Sequence, residues 1–563
     1  MSSPQVNRKK EDAVMARTKE DAETTLFLRK ATGLVRSWSV FDAFIYATFS
    51  INLITLGLYS FSQMYYFEGG LLPVLLVSGF FIMFEVIVYA GLIAVMPRAG
   101  GDYVWQSRIL GSGLGFVLAV TGWWFILWLW VPLYGDMLRQ VVLTPLLGIV
   151  GATDAALWFS QTAEGLFIAS VVTCLFVSFY IALGMKIYSK IQKICFFIAI
   201  LGLLVVFGFM LLGTPEAFLA GLERQAALFG ADPTDLYARV MAAGEEAGAV
   251  VPLMGGSLAA IFLAIPYIVF FNLWPNWGAT LYGEVRGATD FKRNFWGMAW
   301  ALIITTALGI VFFLLISKTF TWDFYTKANA AWWNYRWGYT DQAPPLPIWP
   351  YPALLAVFMT DSRLVQFIVI LAMSMWWFGW SGTVFLSSTR VIFAAAFDRL
   401  LPEKVAEVDQ RTRTPFYALL LMVIPSLVVS ALFAWNVFNF QSLTLCSTLV
   451  IAVTYLGSTV AAILLPYTKP DLYNASPIAR YKVAGIPLIT VAGIIFGGFL
   501  VFLLYEWLVD PNNLYGIGWK NTSSLIFMAA LYVLALVIYV GFRVYRTRQG
   551  IDVSKIYAEI PVE

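Results

Sequence analysis

The chain has 563 residues, of which 60% are apolar and 12% charged, and a net charge of +3. A soluble domain carries about 25% charged residues, so a string of soluble domains is excluded and lipid bilayer is the expected surrounding. The small net charge, with no basic run interleaved with aromatics, gives no case for nucleic acid as a partner.

Histidine is absent. This removes a histidine proton relay, a His-ligated metal or haem, and any Ser-His or Cys-His catalytic pair. No enzyme, metal or cofactor is expected. Cys174, Cys195 and Cys446 fall inside apolar runs and read as small buried hydrophobes.

Residues 1–37 are polar and hold eight Lys/Arg, without the apolar core and cleavage site of a signal peptide. Twelve apolar runs follow, near 38–63, 70–95, 112–146, 165–184, 191–213, 256–284, 295–317, 362–396, 415–434, 440–465, 485–508 and 522–543. Each is long enough for a membrane helix, which takes about 20 residues. The expectation is an all-α integral membrane protein of twelve transmembrane helices. The division is a tail (1–37), ten core spans (38–465), a connecting loop (466–484), two further spans (485–543) and a second tail (544–563). With the N-terminus in the cytoplasm, 28 of the 36 Lys/Arg fall on that side. The positive-inside rule then puts both termini in the cytoplasm, across the plasma or inner membrane. The outer face carries two long loops. Residues 214–255 contain a helix-compatible stretch from Pro233 to Ala247. Residues 318–361 are rich in aromatics and proline, and Trp332, Trp333 and Trp337 read as an interfacial belt or as a lid.

Two spans do not read as plain helices. Span six contains Phe271-Asn272-Leu273-Trp274-Pro275-Asn276-Trp277-Gly278 at its middle. Proline removes a backbone donor and clashes with the preceding turn, and asparagines beside it are costly in lipid unless they line a cavity. Span one carries Ser50-Ile51-Asn52-Leu53-Ile54-Thr55-Leu56-Gly57, a weaker signal. Interrupted segments five spans apart point to a 5+5 inverted repeat with a midplane site. Two kinked, packed helices are the plainer alternative.

Four segments resemble signatures of the amino acid–polyamine–organocation superfamily, the family of the amino acid permeases. Pro97-Arg98-Ala99-Gly100-Gly101-Asp102-Tyr103-Val104-Trp105 is similar to P-R-[SA]-G-G-x-Y-x-[YW]. Gly283-Glu284-Val285-Arg286 resembles G-E-x-[KR]. Ser388 to Pro402 resembles S-R-x-x-[YF]-A-x-A-x-D-G-x-L-P, and Thr412-Arg413-Thr414-Pro415 opens span nine as in that family. The match covers about residues 36 to 465. The resemblance implies a LeuT-type 5+5 inverted repeat with broken helices 1 and 6 plus two extra C-terminal helices. It also implies secondary active transport by alternating access, with amino acids, polyamines or related amines as substrates. The departures are local. Where the family has G-[SA]-G in helix one, Thr55-Leu56-Gly57 keeps one glycine. Where it has F-x-G-x-E in helix six, Asn272 to Asn276 have neither glycine nor glutamate.

On this reading the substrate-binding candidates are Asn52, Thr55, Leu56, Gly57, Phe271, Asn272, Trp274 and Asn276 at the two breaks. Trp124 and Trp377, with Trp123 and Trp376, are candidate wall aromatics able to face an ammonium. Glu85, near the centre of span two, is an ion-coupling candidate or a protonated packing residue. Ser381 and Thr383 could complete a sodium site or pack helices. The coupling ion is H+ or Na+. Arg98, Glu284 and Arg390 form a candidate cytoplasmic gate or a static fastening. Asp42 reads as a helix-start or salt-bridge partner, and Asp136 with Arg139 as a simple pair or part of an outer gate. Two rivals stand beside amino acid or amine transport: cation or cation–chloride cotransport on the same fold, and a non-transporting nutrient sensor.

Overall fold

The computed structural model describes Leu34 and residues 36–557. The basic residues of the N-terminal tail other than Arg36 lie outside the described residues. Among the described residues twelve helices are long and apolar enough to cross a membrane: Val40–Ser62, Leu71–Val95, Ser112–Ile149, Ala163–Ala182, Met185–Leu212, Leu258–Glu284, Phe291–Phe320, Arg363–Phe397, Phe416–Ala434, Val437–Thr468, Leu488–Val509 and Thr522–Arg548. They follow the twelve apolar runs in order and are called spans one to twelve. The side at which span one begins and span twelve ends is called the tail side. The opposite side is the loop side.

Helix ends depart from the apolar runs where backbone hydrogen bonding outlasts hydropathy. Span five begins at Met185, because Lys186 and Lys190 continue a helix as readily as leucine does. Gly184 just before it sits at φ 86°, which favours glycine. Span one is started by a capping box. Asp42 N–H donates to Ser39 Oγ at 3.2 Å and Ser39 N–H donates to Asp42 Oδ2 at 2.8 Å. Asp42 also pairs with Lys193 of span five at 2.8 Å, so it is both a helix start and a salt-bridge partner.

Spans one, three and ten are the most enclosed, at 83%, 78% and 72% buried, whereas five and nine reach 33% and twelve 22%. The first set is therefore the centre and the second the rim. Span five shows its rim face directly: Ile194, Phe197, Leu201 and Leu204 are exposed, spaced three and four residues apart as one helical stripe. Span one packs on seven, span two on six and seven, span three on four, nine and ten, span five on eight, and span eight on four and nine. Span eleven packs on spans two and ten.

The loop side is covered by short helices Pro215–Gln225, Leu236–Glu246, Trp322–Arg336 and Pro352–Val357. The second lies within the stretch expected to be helical. Trp332 and Trp333 are buried in the protein, so they do not form an interfacial belt. Trp333 Nε1 donates to Ser62 Oγ at 2.8 Å, and Trp337 stacks on Trp333 at 5.4 Å. A hairpin of Lys482–Val483 and Ile486–Pro487 joins spans ten and eleven.

Candidate functional site

The first α-helical segment of span one stops at Ile51. Asn52 then takes φ 44°, ψ 83°, and Leu53–Gly57 forms a wider turn before the helix resumes at Leu58. Asparagine is among the few residues that enter this left-handed region at modest cost. Its side chain holds the break in place. Thr55 N–H donates to Asn52 Oδ1 at 3.0 Å, and Asn52 Nδ2 donates to Trp376 O of span eight at 3.2 Å. Gly57 N–H donates to Asn52 O at 2.8 Å. The discontinuity thus sits at Asn52, and the amides of Thr55 and Gly57 are already used inside span one. Gly57 serves close approach: a Cβ there would lie 2.8 Å from the Phe271 ring. Leu56 is buried beside it.

Span six is α-helical over Leu258–Asn272. It turns through Leu273, Trp274, Pro275 and Asn276, and continues as a tighter helix over Trp277–Glu284. Ser78 of span two donates to Asn272 Oδ1 at 3.0 Å, and Tyr455 of span ten donates to Asn276 Oδ1 at 3.0 Å. The Nδ2 groups of both asparagines have no protein partner. Trp274 Nε1 donates to Phe270 O at 2.7 Å. Its ring meets those of Trp130 and Trp277 at 5.2 Å each, and Trp123 meets Trp277 at 4.6 Å. Four indoles from spans three and six therefore fill the region beside the break.

Of the four wall candidates chosen from sequence, Trp124 and Trp377 point away from the breaks. Trp124 Nε1 donates to Leu421 O of span nine at 3.2 Å, and Trp377 Nε1 donates to Tyr134 O at 2.9 Å with its ring near Phe176 of span four. Their neighbours Trp123 and Trp376 turn toward the centre, Trp376 against Phe49 of span one at 5.8 Å. Trp130 is a further site-facing indole that sequence reasoning missed. A helix turns about 100° per residue, so adjacent tryptophans point to different sides, and their shared apolar character gives no sign of which ring faces inward.

Ser381 returns its hydroxyl to Phe378 O at 3.2 Å, and Thr383 Oγ1 lies 3.0 Å from Tyr134 OH of span three. Thr383 O accepts from Tyr46 OH and Trp277 Nε1 at 3.2 and 3.1 Å, which ties spans one, six and eight together. Glu85 is fully buried on span two, and neither carboxyl oxygen has a protein partner.

On the tail side Arg390 grips Glu284 at two points, 2.7 and 3.3 Å, with both side chains buried. Arg98 lies half-buried on the neighbouring loop, donating to Pro97 O at 3.2 Å. The segment before span one joins in: Trp38 N–H donates to Glu284 O at 3.1 Å and Arg286 N–H to Trp38 O at 2.9 Å. Asp398 accepts from Tyr103 at 2.8 Å and from Arg108 at 2.5 and 2.8 Å, so the segments after spans two and eight are clamped together. Asp102 lies on the same loop, outside the spans. Burial pushes its carboxyl up to about 6 from the ordinary 3.8, against the opposing effect of hydrogen bonds from Ser458 and Tyr89.

On the loop side Asp136 accepts from Arg139 Nε at 2.6 Å, from Arg336 at 2.9 Å and from Tyr59 OH at 2.8 Å. The i,i+3 pair expected from sequence is present, and span one and the loop helix Trp322–Arg336 converge on it. Between these two fastenings Asn52, Thr55, Asn272 and Asn276 are all 0% exposed. In this conformation the breaks are shut from both sides.

The amino acid permease family model matches residues 39–538. The chain belongs to the amino acid permease family of the amino acid–polyamine–organocation superfamily. The match runs from the capping box of span one into span twelve, further than the signature segments alone reach. No curated protein matches the chain. The permease is a multi-pass membrane transporter. Its family points to transport of a small molecule, not to enzymatic conversion of one.

Proposed function

We propose that this permease is a secondary active transporter that moves an amino acid or related amine across the plasma or inner membrane by alternating access. The observation that carries this reading is the meeting of two interrupted helices, spans one and six, at Gly57 and Phe271, with a buried ion-pair fastening on each side. Opening one fastening at a time would expose the breaks to one side at a time. The substrate would lie among Asn52, Thr55, Leu56, Gly57, Phe271, Asn272, Trp274 and Asn276, with Trp123 and Trp130 as further wall. The orphaned amide groups of Asn272 and Asn276 are donors for a substrate carboxylate or carbonyl, and the indole faces suit an ammonium. The tail side is cytoplasmic on the positive-inside count.

A 5+5 inverted repeat of the LeuT type accounts for the packing. Exchanging spans one to five with six to ten turns the contact of one with seven into that of six with two. It turns five with eight into ten with three, and four with three into nine with eight; each member of these pairs is present.

The reading is tested by thermal-shift screening of purified protein against amino acids, polyamines and small amines, then uptake of any stabilising compound into proteoliposomes. A bound ligand raises the melting point by mass action. Stabilisation followed by saturable uptake is expected. Binding without uptake would favour a sensor, and chloride-dependent uptake of cations would favour the cotransporter. A second reading has its own observation: Thr55 and Gly57 amides are consumed within span one, which favours amines lacking a carboxylate. A hit confined to such amines would select it.

A further inference from the structure

Beside the span-six break lies a second buried polar cluster. Glu85 of span two and Asp102 of the following short helix act on each other electrostatically, and both are fully buried. Tyr89, one helical turn after Glu85, donates to Asp102 Oδ1 at 2.6 Å, and Ser458 of span ten donates to the same oxygen at 2.6 Å. Gln106 donates to Ser458 at 2.8 Å. Asp102 Oδ2, both oxygens of Glu85 and the indole N–H of Trp123, which faces Asp102, have no partner. No ion pair reaches either carboxyl among the described residues.

The titratable groups facing the pair are Tyr89 and Tyr455. The charged residues of the elements packed around span two are held elsewhere. Glu284 pairs with Arg390 and Arg108 with Asp398. Lys292, Arg293, Lys318 and Glu506 lie in the terminal turns of spans seven and eleven, Arg480 at the end of the short helix Pro477–Arg480 on span two is exposed, and Arg98 of the following loop donates to Pro97 O. Two ionised carboxylates cannot coexist in such a place, because each is desolvated and each repels the other. Two hydroxyls already stabilise negative charge on Asp102 Oδ1. The proton therefore belongs on Glu85, on Asp102 Oδ2 or between them.

Resting on the transporter reading above, we propose that Glu85 and Asp102 form one proton-binding site whose loading is coupled to the conformation of span six. Two connections carry the coupling. Tyr455, whose ring meets that of Tyr89 edge-on at 5.4 Å, donates to Asn276 in the break. The loop bearing Asp102 is fastened to the second half of span six: Gly100 N–H donates to Thr280 O at 2.8 Å, and a Cβ on Gly101 would lie 3.0 Å from the Ala279 backbone. A proton taken up from one side leaves the pair with a single negative charge, which the two hydroxyls on Asp102 Oδ1 stabilise. Its departure to the other side leaves a second negative charge that span six and the loop must move to solvate. The step is protonation and deprotonation of a carboxylate, with no other bond changed.

The test uses full-length wild type, E85Q, D102N and the double variant. Infrared difference spectra over a pH titration read the protonated-carboxyl C=O stretch without any substrate. The expected result is a band that titrates in wild type, shifts its midpoint in either single variant and is lost in the double. In proteoliposomes given an external radiolabelled mixture of amino acids and amines, an imposed proton gradient should drive accumulation in wild type. E85Q should lose that accumulation and retain counterflow exchange. A band unchanged in the double variant overturns the proposal, as does gradient-driven accumulation that survives in E85Q. If E85Q does not fold, E85D replaces it, with a shifted midpoint expected. A wild-type chain that shows the titrating band yet moves neither amino acid nor amine would sink the transport reading while leaving the proton site standing.

Discussion

Arg390 and Glu284 meet at 2.7 and 3.3 Å in a two-point ion pair that neither solvent nor lipid reaches. Glu284 ends span six and Arg390 lies in the second half of span eight. The pair therefore locks the tail side at the place where the end of the broken span must part from its neighbour for the breaks to open. Breaking a buried pair by removing one partner leaves the other charge uncompensated, a cost of about 3–5 kcal/mol. E284Q is expected to lower the melting point, and the E284R/R390E exchange to recover part of it. A cysteine at Thr280, in a background lacking the native cysteines, should react faster with an impermeant thiol reagent from the tail side in E284Q.

On the loop side, Asp136 is the shared acceptor of three donors from three elements. D136N removes the charge that Arg139 and Arg336 both face, so the loop side should loosen. A cysteine at Thr55 should then gain reactivity from that side and not from the tail side. R336Q removes only the donor contributed by the loop helix and should have the smaller effect. Equal labelling in D136N and wild type would count against a gating role.

Asn52 combines a left-handed backbone with two side-chain hydrogen bonds. N52G keeps the backbone free and loses the bonds, each worth about 1 kcal/mol. N52A loses the bonds and adds about 1–2 kcal/mol for a Cβ in that region. The melting points should therefore fall in the order wild type, N52G, N52A. The reverse order for the two variants would show that the break is not held by Asn52.

Gly57 is closed off by the Phe271 ring. G57A should destabilise by about 1–3 kcal/mol through overpacking, and F271L, which shortens the opposing side chain, should restore part of the loss. A double-mutant cycle on melting points reads the coupling.

Asp102 gives a pH prediction with a definite sign. A carboxyl held at about 6 in the folded protein, against 3.8 ordinarily, keeps its proton longer when folded than when unfolded. The stability this contributes is complete below pH 3.8 and is lost as pH rises through about 6. Its size is about 3 kcal/mol. D102N should flatten that part of the stability-against-pH curve.

The sequence by itself determined twelve apolar spans, the family and the two stretches, Ser50 to Gly57 and Phe271 to Gly278, within which the helices are interrupted. Each depends on composition or on a local rule: apolar length, a run of signature residues, a proline and two asparagines where lipid forbids loose amides. The pairing of Asp136 with Arg139 was also legible, being one helical turn apart. What only the tertiary structure decided is which side chains meet across helices. Trp123 and Trp130 face the break, and Trp124 and Trp377 do not, a choice that hydropathy cannot make between adjacent indoles of equal apolar character. The exact seat of the span-one break moved to Asn52, since its bond to Trp376 O lies 324 residues away in the chain. The partnership of Glu85 with Asp102 has the same origin. Seventeen positions separate them, and only the fold of the Gly100-Gly101 turn against span six brings a loop carboxyl under the centre of span two.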